Sequence, residues 1–272
     1  MAYQIQTAPA DSFSIGRVFS RAFSTITANP GAALGIALLF GGLPLIGCHY
    51  LEQRFATTSM TTGQAGLPQG FWSAIFISYA ISILSTAANI VAQGAFVPLA
   101  AAQDTGRPAG FADAAGAGLG ALVPLIAVGV VTSIGTMIAY LFLIIPGVIL
   151  ALAWSVAGPA LVAEQCGIRA ALGRSSELTS GARGGIFALM LVVGVVLFAV
   201  SVLVNQLMAG FYGQEAFAHL FEHGFPAVYV LTRAVADTAV IVFSAAVYAA
   251  LYIELRNWKD GTPTDALAEV FA

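Results

Sequence analysis

Six long apolar runs leave this chain few ways to fold. They are Ala32 to Cys48, Phe71 to Ala101, Leu119 to Ile145, Gly147 to Ala163, Ile186 to Met208 and Ala227 to Leu251. Each is near or above the ~20 residues that a helix needs to cross a hydrocarbon core of ~30 Å. Only 8% of the 272 residues are charged, and the mean hydropathy is +0.89; an ordinary soluble domain carries about 25% charged residues. Lipid offers no partner to a peptide group, so a spanning run without period-2 alternation must satisfy its own backbone as a helix. The expected fold class is all-α, a polytopic membrane helical bundle of six transmembrane helices.

The basic residues orient these spans. Arg17, Arg21, Arg107, Arg169, Arg174, Arg183, Arg256 and Lys259 fall before span 1, between spans 2 and 3, between spans 4 and 5, or after span 6; Arg54 alone occupies a loop on the other side, and Arg233 lies within span 6. This asymmetry predicts a multi-pass protein with both termini cytoplasmic. The expected division is a cytoplasmic N-terminus with an interfacial helix (1–30), a six-helix transmembrane domain (31–256) and a cytoplasmic tail (257–272). The opening "MAYQIQTAPADSFS" has no basic n-region, and the first apolar run starts only at Ala32, so no cleaved signal peptide is expected. Cys48 and Cys166 fall at opposite faces in this topology, which argues against pairing.

Between the spans, Phe13 to Thr27 places Ile15, Val18, Phe19, Ala22, Phe23 and Ile26 at steps of three and four, opposite Arg17, Ser20, Arg21 and Ser24. Such a face predicts a helix lying on the cytoplasmic leaflet, ended by Asn29-Pro30-Gly31; a helix packed in a protein core shows the same pattern. The pattern recurs over Ile168 to Thr179, where Ile168, Ala171, Leu172 and Ser175 share a face, and more faintly in "FADAAGAGLG" before span 3. Three hairpins, each fed by a surface helix, are the expected arrangement. Spans 3 and 4 meet at Ile145-Pro146-Gly147, where a sharp reversal is expected, because one continuous helix would be about 60 Å long.

The stretch "IPGVILALAWSVAGPALVAEQCGIRAALGRSSELTSGARGGIFALM" resembles a family of bacterial integral membrane proteins through Pro146-Gly147, Trp154, Pro159, Glu164, Arg174-Ser175, Leu178-Thr179 and Gly181. The family groups with the membrane domain of glycerophosphoryl diester phosphodiesterases and with YciC-like inner-membrane proteins. The resemblance implies a six-helix protein of the bacterial inner membrane. It does not imply phosphodiesterase activity, because the hydrolase of the fused relatives is a separate barrel of about 250 residues. Read without the family, Glu164 and the surface segment with Arg169 and Arg174 form either a charged hinge for anionic headgroups or a solvated helix tying two spans together. Arg17 and Arg21 belong to the same candidate lipid interface.

Inside the bilayer, span 2 carries Ser78, Ser82, Ser85, Asn89 and Gln93 on one stripe. That stripe should face the bundle interior, either bonding to neighbouring helices or lining a polar pathway. Span 6 carries Arg233 and Asp237 one turn apart, with Ser244 and Tyr248 on the same face. Ionisable residues within a span are candidates for function, but this pair falls near the outer boundary, where a structural ion pair is the simpler reading.

One stretch suggests metal. "AHLFEHG" holds His219, Glu222 and His223 in an H-x-x-E-H spacing, with Glu215 a turn earlier and His49 and Glu52 in the other outer loop. His219 and His223 share a helical face and could bind one zinc ion, yet a hydrolase needs a third ligand and supporting partners. Phe217, Leu220, Phe221 and Phe225 supply another reason for the spacing, an apolar face resting on the outer leaflet. The expected protein is thus non-enzymatic, without cofactor or nucleic-acid partner, acting through anionic lipids or a membrane-protein partner. A transporter of a small solute or lipid using spans 2 and 6 is the second expectation, and an outer-face metalloenzyme the third. A water-accessible cavity between spans 2 and 6 separates transport from scaffolding.

Overall fold

The structure, a computed structural model, describes residues 12–47, 71–105, 109–213 and 227–261. His219, His223, Glu215, His49, Glu52, Cys48, Arg54 and Arg107 lie outside these residues. The described residues contain helices and no strand. Six helical segments are long and apolar enough to cross a membrane, so the chain is a multi-pass all-α membrane protein.

A helix, α1 (Ile15–Ala28), precedes span 1, which runs Pro30–Gly47 as α2 (Pro30–Ala37), a π-helical turn (Leu38–Gly42) and a last helical turn. Span 2 is α3 (Phe71–Thr105); the short α4 (Phe111–Gly120) then leads into span 3, α5 (Leu122–Phe142). Span 4, Ile144–Glu164, is made of two helices, α6 (Ile144–Ala153) and α7 (Ala157–Glu164). After α8 (Ile168–Thr179) come span 5, α9 (Arg183–Tyr212), and span 6, α10 (Ala227–Asp260).

Three prolines explain three of the breaks. Pro124, Pro146 and Pro159 each occupy the third position of a helix, α5, α6 and α7 respectively. Proline is tolerated in a first turn, whose N–H groups have no intrahelical partner, but its ring clashes with the carbonyl four residues back and kinks or ends the preceding helix; the helix ends before these three, whereas Pro98 stays within α3. The chain therefore reverses between spans 3 and 4 at Leu143, which is extended (φ −160°, ψ 137°), and not at Ile145-Pro146-Gly147. Pro146 already sits inside the new helix. Gly147 lies directly under the Tyr140 ring, so the two arms of the reversal meet where no Cβ fits. By the same rule Pro159 interrupts span 4 halfway along, at Trp154 to Val156, a break the hydropathy of the run conceals.

Spans 2 and 6 form the centre and make the most extensive helix contact. Gly94 and Gly158 let α3 and α7 approach closely: a Cβ on Gly94 would stand 2.7 Å from Val162, and one on Gly158 would stand 2.8 Å from Ile90. Small residues at such crossings are the usual device of membrane bundles, where dispersion must replace the hydrophobic drive. Gly41 and Gly42 of span 1 do the same against Ile241 and Thr238 of span 6. Span 5 is peripheral and mostly exposed. Its Phe198, Leu203 and Phe211, with Leu141, Phe142 and Val235 elsewhere, form an apolar exterior that water would not tolerate and a hydrocarbon phase accepts.

The two amphipathic helices are built into this bundle. Val18, Ala22 and Thr25 of α1 are buried, and α1 packs along the end of span 6, with Phe19 and Phe23 both against Phe243. In α8, Ala171, Ser175, Leu178 and Thr179 are buried against span 4 and span 6. The face expected from the sequence is present on each helix, but protein covers its buried core.

Candidate functional site

The polar stripe of span 2 leads to a cavity. Ser85, Asn89 and Gln93 line a void of about 450 Å³ between spans 2, 5 and 6, together with Thr86, Ser244 and Tyr248. Gln93 is buried and donates to the Asn89 side-chain carbonyl at 3.3 Å. Ser78, nearer the start of the helix, is exposed. The opposite wall is apolar, formed by Leu189, Met190, Val193, Gly194 and Leu197 of span 5. The cavity therefore offers hydroxyl and amide groups on one side and hydrocarbon on the other, with no carboxylate or basic group among the described residues that line it.

A second void of about 230 Å³ adjoins it, reaching to span 3 and to the break in span 4. Thr132, Ser133, Thr136, Trp154 and Ser155 line it, and Thr86, Ile90, Gln93, Met190 and Tyr248 border both voids. The interrupted helix thus contributes directly to an intramembrane polar space, an arrangement that builds binding sites at the bilayer midplane in many transporters.

The break is held open by α8. Ser175 donates its hydroxyl to the Ala153 carbonyl at 2.8 Å and accepts from the Val156 N–H at 3.2 Å. One side chain thereby satisfies two backbone groups that the broken turn would leave unpaired, as irregular backbone at membrane depth requires. Thr179 ties in through the Ser175 carbonyl at 2.9 Å.

The neighbouring Arg174 anchors α8 at the end of the bundle where the chain's basic residues gather. Its guanidinium bonds Glu164 at 2.8 Å, Glu177 at 3.3 Å and Asp260. The hydrogen bond it donates to Glu164 raises its pKa further above the usual arginine value, with Asp260 adding to the effect. Tyr252 donates to the same Glu164 carboxylate at 3.2 Å. Next to Glu164, the free thiol of Cys166 has its pKa raised by burial and by that carboxylate.

Arg17 is likewise engaged with protein. It reaches Glu254 of span 6 at 2.6 Å, and the Ser14 N–H donates to the same oxygen at 3.3 Å. The Glu254 side chain is 5% exposed and that of Arg17 47%. Among the candidate lipid contacts, Arg17 and Arg174 thus spend their guanidinium groups on carboxylates, Arg21 is half-buried on α1, and Arg169 is exposed. Glu254 was absent from the sequence expectations, although a lone acid in "YAALYIELRNW" was a visible signal. Thr132, Thr136 and Trp154 carry no such signal, because their relation to span 2 is purely tertiary.

Arg233 bonds Asp237 at 3.2 Å on span 6 and Ser201 of span 5 at 3.3 Å. Asp237 is three residues from Val240, and Ser201 four residues from Leu197, both in the cavity wall. The pair therefore clips spans 5 and 6 together just beyond the end of the cavity remote from the basic residues. Among the described residues no group of three or more His, Cys, Asp or Glu is placed to hold a metal. No protein-family model, no curated protein and no solved structure matches the chain.

Proposed function

We propose that this chain is a bacterial inner-membrane protein with cytoplasmic termini that binds a small uncharged polar or amphipathic molecule within the bilayer, as a step in its transport. The observation that carries this reading is the uncharged cavity lined by Ser85, Asn89, Gln93, Ser244 and Tyr248 between spans 2, 5 and 6. A buried Gln93, a half-buried Asn89 and hydroxyls facing a void are costly in a membrane unless a ligand or water uses them. Scaffolding through lipids or a partner protein asks for no such cavity, which is why transport moves ahead of it. Non-enzymatic action belongs to the same proposal, since the lining lacks a nucleophile–base pair.

Membership of the family grouped with the phosphodiesterase membrane domain is also proposed. Its support is that Trp154, Pro159, Glu164, Arg174 and Ser175, which carry the resemblance, converge on one device, the interrupted span 4 and the helix that closes it.

Thermal unfolding of the full chain in lipid nanodiscs, against a panel of neutral solutes and lipids, tests the reading. A ligand at 100 times its Kd stabilises by about 2.7 kcal/mol. The rise in Tm should disappear in Ser244→Leu, which fills the cavity. A panel without any stabilising compound, or a rise that survives Ser244→Leu, contradicts the proposal.

A further inference from the structure

We infer that the two adjoining voids are compartments of one site for an amphiphile, with an uncharged head that both donates and accepts hydrogen bonds beside the break in span 4 and an apolar chain along span 5. This rests on the cavity being a ligand site and adds the chemical class of the ligand.

The head compartment offers both acceptors and donors. Thr132 donates its proton to the Val128 carbonyl at 2.8 Å, Thr136 to that of Thr132 at 2.6 Å, and Ser155 to that of Leu152 at 2.8 Å. A hydroxyl has one proton, so these three present mainly oxygen lone pairs to the void. Ser133, Trp154, Gln93 and Tyr248 of the same lining carry O–H or N–H groups, so a head that both donates and accepts, as an alcohol or an amide does, uses both sets. An ester or ether oxygen leaves the three acceptors unused, and an ammonium finds no carboxylate among the described lining residues to offset its desolvation.

The other compartment suits a chain. Its span 5 wall is Leu189, Met190, Val193, Gly194 and Leu197. Gly194 is exposed, and a Cβ built on it meets nothing within 4 Å, so the wall opens to the bilayer at that point. Thr86, Ile90, Gln93, Met190 and Tyr248 line both compartments. Methionine adapts readily to a neighbour.

The test uses the full chain in phosphatidylcholine nanodiscs with three probes of one chain length: 1-dodecanol, methyl laurate and dodecylammonium. Dodecanol should raise the Tm most; methyl laurate, an acceptor-only head, should raise it less, and dodecylammonium, a charged head, should not raise it. Thr132→Val/Thr136→Val keeps the volume and removes the acceptors; it should weaken dodecanol about tenfold, the loss expected of one or two hydrogen bonds. Gly194→Leu, which has open space for its side chain, should block all response to dodecanol. Equal stabilisation by the three probes, or by dodecanol in the double valine variant, overturns the assignment. If water-soluble neutral solutes stabilise the protein and dodecanol does not, the amphiphile assignment fails while the binding site stands; if neither does, both fail.

Discussion

Ser175 donates its hydroxyl to the carbonyl of Ala153, 22 residues earlier in the chain, at 2.8 Å. The bond joins a helix at the basic end of the bundle to the interior of span 4. Because the same oxygen accepts from Val156, Ser175→Ala leaves that buried N–H unpaired and the Ala153 carbonyl with only the long contact from the Thr179 hydroxyl at 3.5 Å. The expected cost is about 1–3 kcal/mol. Thermal unfolding of the purified variant should show the lower Tm with helix content unchanged; an unaltered Tm would mean that the break satisfies itself.

Glu254 is buried and depends on Arg17 and the Ser14 N–H. Arg17→Met leaves that carboxylate without its cation. Breaking a fully buried pair costs about 3–5 kcal/mol, and the half-exposed Arg17 reduces the expectation to about 1–3 kcal/mol. Glu254→Gln in the Arg17→Met background should recover part of the loss, because a neutral amide needs no counter-charge. A double variant less stable than Arg17→Met alone would contradict this account.

Cys166 has a raised pKa through burial first and the Glu164 charge second. For a group raised on folding, the stabilising contribution is complete below the unfolded value and is lost as pH climbs through the folded one. The thiol should therefore stay protonated at pH 8 and alkylate more slowly than a free cysteine. With Cys48 replaced by serine, iodoacetamide kinetics between pH 7 and 10 should show a delayed rise. Glu164→Gln should shift that rise to lower pH, by less than the whole displacement since burial remains; no shift would remove the charge from the explanation.

Arg233 is shared between Asp237 and Ser201. Asp237→Asn keeps a polar partner but removes the charge, with an expected loss of about 0.5–2 kcal/mol. Neither Arg233 nor Asp237 lines the cavity. Stabilisation by a cavity ligand should thus be the same in the variant as in the parent when each is compared with its own ligand-free Tm. A ligand response abolished by Asp237→Asn would make the pair part of the binding machinery.

The stripe from Ser85 to Gln93 shows how far periodicity reaches. Steps of three and four place these residues on one face of a helix regardless of its neighbours, and that face does turn toward the interior. The apolar faces of α1 and α8 were legible for the same reason. What covers them was not, since an interfacial helix and a packed one share a pattern; the burial of Val18, Ala22, Ala171 and Ser175 against other helices depends on partners distant in the chain.

Hydropathy and length alone determined six crossings and an all-α class, because a bilayer leaves a long apolar run no other way to satisfy its backbone. Local stereochemistry in the sequence also marked the breaks before Pro146 and Pro159, but did not compel them, since Pro98 lies within the continuous α3; reading the reversal at the proline itself misplaced it by one turn. Only the tertiary structure decided that Ser175 fills the second break, that Glu254 receives Arg17, and that Thr132 and Trp154 face the stripe of span 2. These depend on the relative placement of helices many residues apart, which is set by close approaches such as Gly94 on Val162 and Gly158 on Ile90, and no single helix's periodicity encodes it.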